Sequence, residues 1–312
     1  MNAPPHRLRA REHTLEFPHP GTGGKPWLMG IVNASPDSFS DAGLHSSLDA
    51  RVQLAREQLE AGADILDVGG ESASTGRPPV DVQEEIGRVV PLVERLVGEL
   101  GALVSVDTYK PTVARAAIAA GASIVNDVSG LRDPELADVC AETGAALVLM
   151  HTLAAPRERL QDPDLYDDVT HEVVGFLRER IALALSRGVG HEQLIVDPGP
   201  DFAKTPAQTI RLLAEVGRLH ELGLPLLMAI SRKDFIGALT GRAPRARLAG
   251  TLAALSHGVA HGAHIFRIHD VAAAADFLAV RAVLALEVDV GRDLALSEEI
   301  RYERLDGREP VP

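Results

Sequence analysis

The sequence predicts a single-domain (β/α)8 barrel, the TIM-barrel class of α/β protein. Three observations carry that prediction. Short, continuously apolar runs recur along the chain, the pattern of strands buried on both faces. Longer segments with apolar residues three and four apart separate them, the period of an amphipathic helix. Glycines fall just after most of these segments, where helices end in left-handed geometry. Eight strands and eight helices alternating over residues 27–286 fit a closed barrel. An open doubly wound sheet usually carries GxGxxG after its first strand, and the chain has no such run.

The elements follow in order. The first strand is read at Trp27–Val32 and the first helix at Leu48–Ala61, where Val52, Ala55 and Leu59 share a face. The second pair is Asp64–Val68 with Val82–Leu100, whose stripe is Ile86, Val89, Val90, Val93, Leu96 and Val97. Then come Leu103–Val106 with Pro111–Ala120, Ser123–Val125 with Pro134–Thr143, and Ala146–Met150 with Val169–Arg187. The last three pairs are Leu194–Val196 with Thr205–Leu222, Pro225–Ile230 with Pro244–Ala260, and His264–Ile268 with Val271–Leu286. Pro111, Pro134 and Pro244 fall where a first helical turn tolerates proline. Gly62, Gly121, Gly144, Gly188, Gly223 and Gly262 sit where helices stop. Residues 1–26 read as an N-terminal extension with room for a small hairpin, and 287–312 as a polar tail.

Composition narrows the function. The chain has 312 residues, 46% hydrophobic and 24% charged, with a formal net charge of −13. That surface repels nucleic acid and anionic membrane. No apolar run approaches the ~18–20 residues that span a bilayer, and the arginine-bearing start MNAPPHRLRAREH has no secretory apolar core. The single cysteine, Cys140, reads as core, and the expected home is cytoplasmic. Seven Phe, three Tyr and one Trp leave the core to aliphatic residues.

In such a barrel the C-terminal ends of the strands face the active site. Nearly every strand exit here carries polar groups. Asp37, Asp127, Asp133 and Asp270 read first as caps and turns. Asp107, Asn126, Asp197 and Lys233 follow directly on apolar strands, where a buried ionisable group needs a partner or a ligand. His257, His261 and His264 are too weakly spaced to read as a metal site.

These exits carry motifs. MGIVNASPDSFSDAG, SVDTYKP, GASIVNDVSG, DPG with a following lysine, ISRKDFIG and FRIHDV together resemble the dihydropteroate synthase family of the pterin-binding superfamily, in that family's order and across the whole barrel. The resemblance implies condensation of 6-hydroxymethyl-7,8-dihydropterin diphosphate with p-aminobenzoate, with release of pyrophosphate. It implies that Asp107, Asn126, Asp197 and Lys233 hold the pterin, with Met150 against its ring. Arg267 and His269 match the anion-binding pair, which with Lys233 makes the catalytic set. Asn33 matches a ligand of Mg²⁺, and Ser231, Phe202 and Arg77 fall to the arylamine region. Small-molecule substrates, sulfonamide sensitivity and a homodimer through the last helices follow from the same resemblance.

Two loops depart from the family pattern. GESTRPG becomes Gly70-Glu71-Ser72-Ala73-Ser74-Thr75-Gly76-Arg77-Pro78, which puts Ala73 and Ser74 where the family has Thr and Arg. DPGFGFGK becomes Asp197-Pro-Gly-Pro-Asp-Phe-Ala-Lys204, with Asp201 and Ala203 for glycines. A lesser change puts Ala229 before the SRK motif in place of glycine. The departures spare the pterin half and alter the second-substrate half. They are similar to those of divergent second paralogues, so the alternative is a protein that binds pterin but has lost or changed the arylamine and diphosphate step. A methyl-tetrahydrofolate transferase disagrees with Asn33, Arg267 and His269, because a methyl donor brings no diphosphate. A Schiff-base lyase on Lys233 disagrees with the neighbouring Asp107 and Asp197, which favour its charged form.

Overall fold

In the computed structural model, residues 6–17, 24–34, 47–71 and 79–301 are described. An antiparallel hairpin, β1 (His6–Ala10) and β2 (His13–Phe17), leads the barrel. Eight parallel strands follow: β3 (Trp27–Asn33), β4 (Ile65–Gly69), β5 (Val104–Asp107), β6 (Ile124–Asp127), β7 (Ala146–Met150), β8 (Leu194–Asp197), β9 (Leu227–Met228) and β10 (Ile265–Ile268). Their order is β8-β7-β6-β5-β4-β3-β10-β9. A parallel bridge between Val196 and Leu226 joins the two ends and closes the barrel. That seam is short because Pro225 lacks an amide hydrogen; it contributes its carbonyl, which accepts from Val196 N at 3.0 Å.

The helices are α1 (Leu48–Glu60), α2 (Val82–Leu100), α3 (Pro111–Ala119), α4 (Glu135–Thr143), α5 (Val169–Ser186), α6 (Pro206–Ala214), α7 (Asp234–Thr240), α8 (Leu248–Ala260) and α9 (Val271–Leu284). The described residues thus hold nine α-helices, one more than the sequence pattern predicts. α7 was hidden in the ISRKDFIGALTG run because seven residues show less than two full apolar repeats. The helix expected over 205–222 tightens into a 3₁₀ segment at Val216–Leu222, and the one expected from Pro244 opens with a 3₁₀ turn. The strand expected over 225–230 is a two-residue ladder.

Local chemistry fixes the ends. Asp81 caps α2 by accepting from Gln83 N at 2.8 Å, and Gly101 ends it in left-handed geometry at φ 61°. Asp168 caps α5 from Thr170 N and Asp127 accepts from Ser129 N, as cap-forming residues do.

Strand alternation divides the core into two layers. Outward residues such as Leu66, Val106, Val125, Leu147 and Val196 pack against the helices. Inward residues Met29, Ile65, Ile124, Ala146, Ile195, Leu227 and Ile265 form the barrel floor, and the hairpin's Leu8, Ala10, Leu15 and Phe17 pack into the same cluster. Each fully buried aliphatic side chain contributes about 1.5–3 kcal/mol. The hairpin therefore plugs the N-terminal mouth and leaves the C-terminal mouth for chemistry.

Candidate active site

The floor residues set the parity of everything above them. Two or four positions further along each strand, still pointing inward, come Asn33, Asp67, Asp107, Asn126, Met150, Asp197, Ser231, Arg267 and His269. A strand that buries Ile65 at the floor must aim Asp67 into the same interior. The backbone register sets Asp107 beside Asn126, Met150 beside Asp197 and Asn33 beside Gly69.

Polar groups stacked inside a barrel must satisfy one another. Arg267 donates from Nε to Asp67 Oδ2 at 2.6 Å and from Nη2 to Asp107 Oδ2 at 2.8 Å. Asn126 Nδ2 donates to the same Asp67 oxygen at 3.2 Å. Burial opposes the charge on Arg267, but the two carboxylates outweigh it and hold the guanidinium protonated. Burial pushes the Asp107 carboxyl up, against the pull of Arg267. Asp197, 2% exposed, accepts from Gly199 N at 2.7 Å, yet burial still pushes it up to about 6.

Lys233 stands at the N-terminus of α7 with Nζ 4.3 Å from the centroid of the Phe202 ring, a cation–π contact. Burial lowers its pKa, while Asp201 and Asp197 pull the other way. His269 and Ser231 meet, with Nδ1 2.9 Å from the serine Oγ. Burial, reinforced by Arg232, Arg267 and Lys233, pushes His269 down to about 3. At neutral pH His269 therefore brings a hydrogen bond to the site and no charge. Arg232 pairs with Asp270 at 2.7 Å.

The sequence reading missed several groups. Asp67 lay unnoticed inside an apolar run; its inward parity with Ile65 was the available signal. Glu85, 1% exposed on α2, accepts from Thr108 Oγ1 at 2.8 Å and from Lys110 Nζ at 2.6 Å. Lys110 also reaches Glu71 at 2.6 Å, and Arg157 reaches the other oxygen of Glu71 at 2.6 Å. Those cations hold the Glu71 carboxylate low despite its burial. No periodicity announces this wall, because its members come from three separate loops and a helix. It borders a cavity of about 490 Å³ that extends to Asp107, Phe202 and Lys233. Arg77 and the substituted positions Ala73 and Ser74 lie outside the described residues, as does Asp37.

The β8 exit loop carries both glycine replacements. Gly199 is required there: at φ +64° a Cβ would stand 2.1 Å from His151 O. Asp201 (φ 66°) and Ala203 (φ 49°) adopt the left-handed conformation that the missing glycines would take without strain. Each such residue costs about 1–2 kcal/mol. The loop is tied down in return. Asp201 N donates to Thr209 Oγ1 at 3.1 Å, its carboxylate accepts from Asp234 N, and Tyr166 donates to Ala203 O at 2.8 Å. The charge added by Asp201 thus sits at the first amide of α7.

The sequence model described as "Pterin binding enzyme" matches residues 29–269. The chain is 40% identical over 297 residues to the dihydropteroate synthase of Escherichia coli K12, covering 95% of this chain and 100% of that one. The dihydropteroate synthase of Xanthomonas albilineans, solved with 4-aminobenzoic acid, superposes with a TM-score of 0.81 at 44% identity, covering 90% of this chain and 98% of that one. The same enzyme in complex with 7,8-dihydropteroate gives 0.77 at 44% identity, over 89% and 98%.

Proposed function

The chain belongs to the pterin-binding enzyme family, among its dihydropteroate synthases, and from that membership we infer its reaction. It condenses 6-hydroxymethyl-7,8-dihydropterin diphosphate with p-aminobenzoate and releases pyrophosphate. It is a transferase of folate biosynthesis acting on small molecules.

The residue roles are those the family resemblance implies, and the chemistry of each position is compatible with them. A pterin presents an amino group and ring N–H beside a carbonyl. Asp107 and Asp197 accept from such donors, Asn126 both gives and takes, and Lys233 donates to the carbonyl oxygen and ring nitrogen. Met150, 1% exposed beside Asp197 in the register, packs on the ring face. The carbon–oxygen bond to the diphosphate breaks first, and its electron pair leaves on the diphosphate. The arylamine nitrogen then attacks the pterin cation and loses its proton. A neutral aniline is already nucleophilic, so stabilising the departing anion is the main catalytic task. Arg267 supplies charge to it and His269 a hydrogen bond. Ser231 and Phe202 border the arylamine; Arg77, which the resemblance assigns to the same region, lies outside the described residues.

Asn33 at the end of β3 would hold Mg²⁺ through its amide oxygen, a hard donor suited to that ion. Among the described residues no group of three or more His, Cys, Asp or Glu could hold a metal. When bound, the ion would neutralise charge on the leaving diphosphate.

The same reading extends to a cytoplasmic homodimer. Among the described residues no helix is long and apolar enough to cross a membrane. Val280 and Leu284 stand exposed on α9, where a second copy would cover them.

The observation that carries the reaction is the inward rim itself: Asp107, Asn126, Asp197 and Arg267 converge at one mouth of a closed barrel. The test is pyrophosphate release from the pterin diphosphate with Mg²⁺, with and without p-aminobenzoate. Arylamine-dependent release supports the reading. Folded protein that binds pterin yet never turns over at any arylamine concentration refutes it.

A further inference from the structure

Lys204 is not among the residues assigned to substrate, yet its side chain is wholly buried beneath the site. Its ammonium has three acceptors: Gly199 O at 2.9 Å, Phe202 O at 2.9 Å and His151 Nδ1 at 2.7 Å. A lysine ammonium has three N–H donors and no acceptor, so the set is filled. The histidine must then be neutral with its proton on Nε2. Burial first, then the neighbouring Lys204 charge, pushes it down to about 2, which keeps it so.

The two carbonyls belong to the β8 exit loop. Gly199 gives its amide to Asp197, and Phe202 puts its ring under Lys233. One buried cation therefore grips both ends of a loop that touches a pterin-side carboxylate and the arylamine-side ring. The loop needs a grip, because Asp201 and Ala203 hold left-handed backbone without being glycine.

We propose that Lys204 is a positioning residue whose ammonium, seated on His151, locks the 198–203 loop in the shape that sets Asp197 and Phe202 for substrate. It touches no reacting atom and acts through the loop. Burial lowers the Lys204 pKa to about 7; Asp197 on β8 and Asp201 on the loop favour its ammonium form, Lys233 from the β9 side opposes it, and His151 faces it from the end of β7. Its substrate effects rest on the synthase reading above, whereas the ordering of the loop does not.

The experiment compares wild type, Lys204→Met and His151→Ala by hydrogen–deuterium exchange, thermal unfolding and steady-state kinetics. In Lys204→Met the amides of 199–203 should exchange at least tenfold faster while the other strand exits keep their protection. KM for both substrates should rise at least tenfold, with kcat changed less than KM. Unchanged exchange over 199–203, or loss of protection spread evenly over the barrel, overturns the proposal. If Lys204→Met does not fold, His151→Ala decides, since it keeps the ammonium and removes one acceptor. Faster exchange confined to the loop supports the proposal, and unchanged exchange refutes it. A wild-type protein without turnover would refute the synthase reading but leave the exchange result standing.

Discussion

Arg267 on β10 and Asp67 on β4 are 200 positions apart in the chain and meet at 2.6 Å inside the barrel. The aspartate is fully buried, and the same arginine holds Asp107. This pair braces the interior while Arg267 waits for an anion. Removing one partner of a buried pair costs about 3–5 kcal/mol, because the other charge is left stranded. Asp67→Ala should fall at the low end, near ~3 kcal/mol, since Asp107 still holds the arginine. Denaturant unfolding reads the loss. A change within about 1 kcal/mol would mean that Asp67 carries little of the brace.

Asp107→Ala removes an acceptor aimed at the pterin and loosens Arg267. A hydrogen bond to a charged group is worth about 1.5–3 kcal/mol. Pterin affinity should therefore drop roughly ten- to a hundredfold by calorimetry. Unaltered affinity would move the pterin away from this carboxylate.

The pH dependence follows from Asp197, which burial pushes up to about 6. Between its ordinary value of 3.8 and about 6 the folded protein binds a proton that the unfolded chain has released. Stability from this group is thus full below the unfolded value and is lost as pH rises through about 6, by about 3 kcal/mol in all. Pterin binding runs the opposite way, because only the carboxylate accepts from the pterin. Affinity should climb with pH through about 6 in wild type, and Asp197→Asn should flatten that limb. A wild-type profile flat from pH 5 to 8 would contradict the assignment.

Two loop substitutions should act in opposite directions. Ala203→Gly relieves left-handed strain and should stabilise the fold by about 0.5–1 kcal/mol. Gly199→Ala forces a methyl against His151 O and should lower the melting temperature and abolish pterin binding. A tolerated Gly199→Ala would show that the loop can shift without harm to the site.

Sulfonamides mimic the arylamine, and two positions of the second loop, Ala73 and Ser74, depart from the family pattern. Thermal stabilisation by a sulfonamide with pyrophosphate present should be weaker here than for a family member that carries Thr and Arg at those two positions, in the same assay. Equal or greater stabilisation would show that those positions do not limit sulfonamide binding.

Much of the site was legible one strand at a time. Asp107, Asn126 and Asp197 stand directly after apolar runs, where burial alone draws attention to a polar residue, whereas Arg267 was reached through the motif resemblance. Asp67 was missed because one carboxylate within a run looks like noise until the neighbouring strands share its parity. Glu85 was missed because it lies on a helix whose apolar stripe satisfied the pattern without it. α7 was too short to show a period.

The chain's linear pattern determined the alternation of strands and helices, the glycine-ended turns and the ionisable rim, because each rests on chemistry within a few residues. Tertiary structure alone decided that Val196 and Leu226 close the barrel, that Arg267 is shared between Asp67 and Asp107, and that Lys204 is seated on His151. Those contacts join residues far apart in sequence. Their energies come from desolvation and charge pairing in a closed interior, and that interior exists only once all eight strands have met.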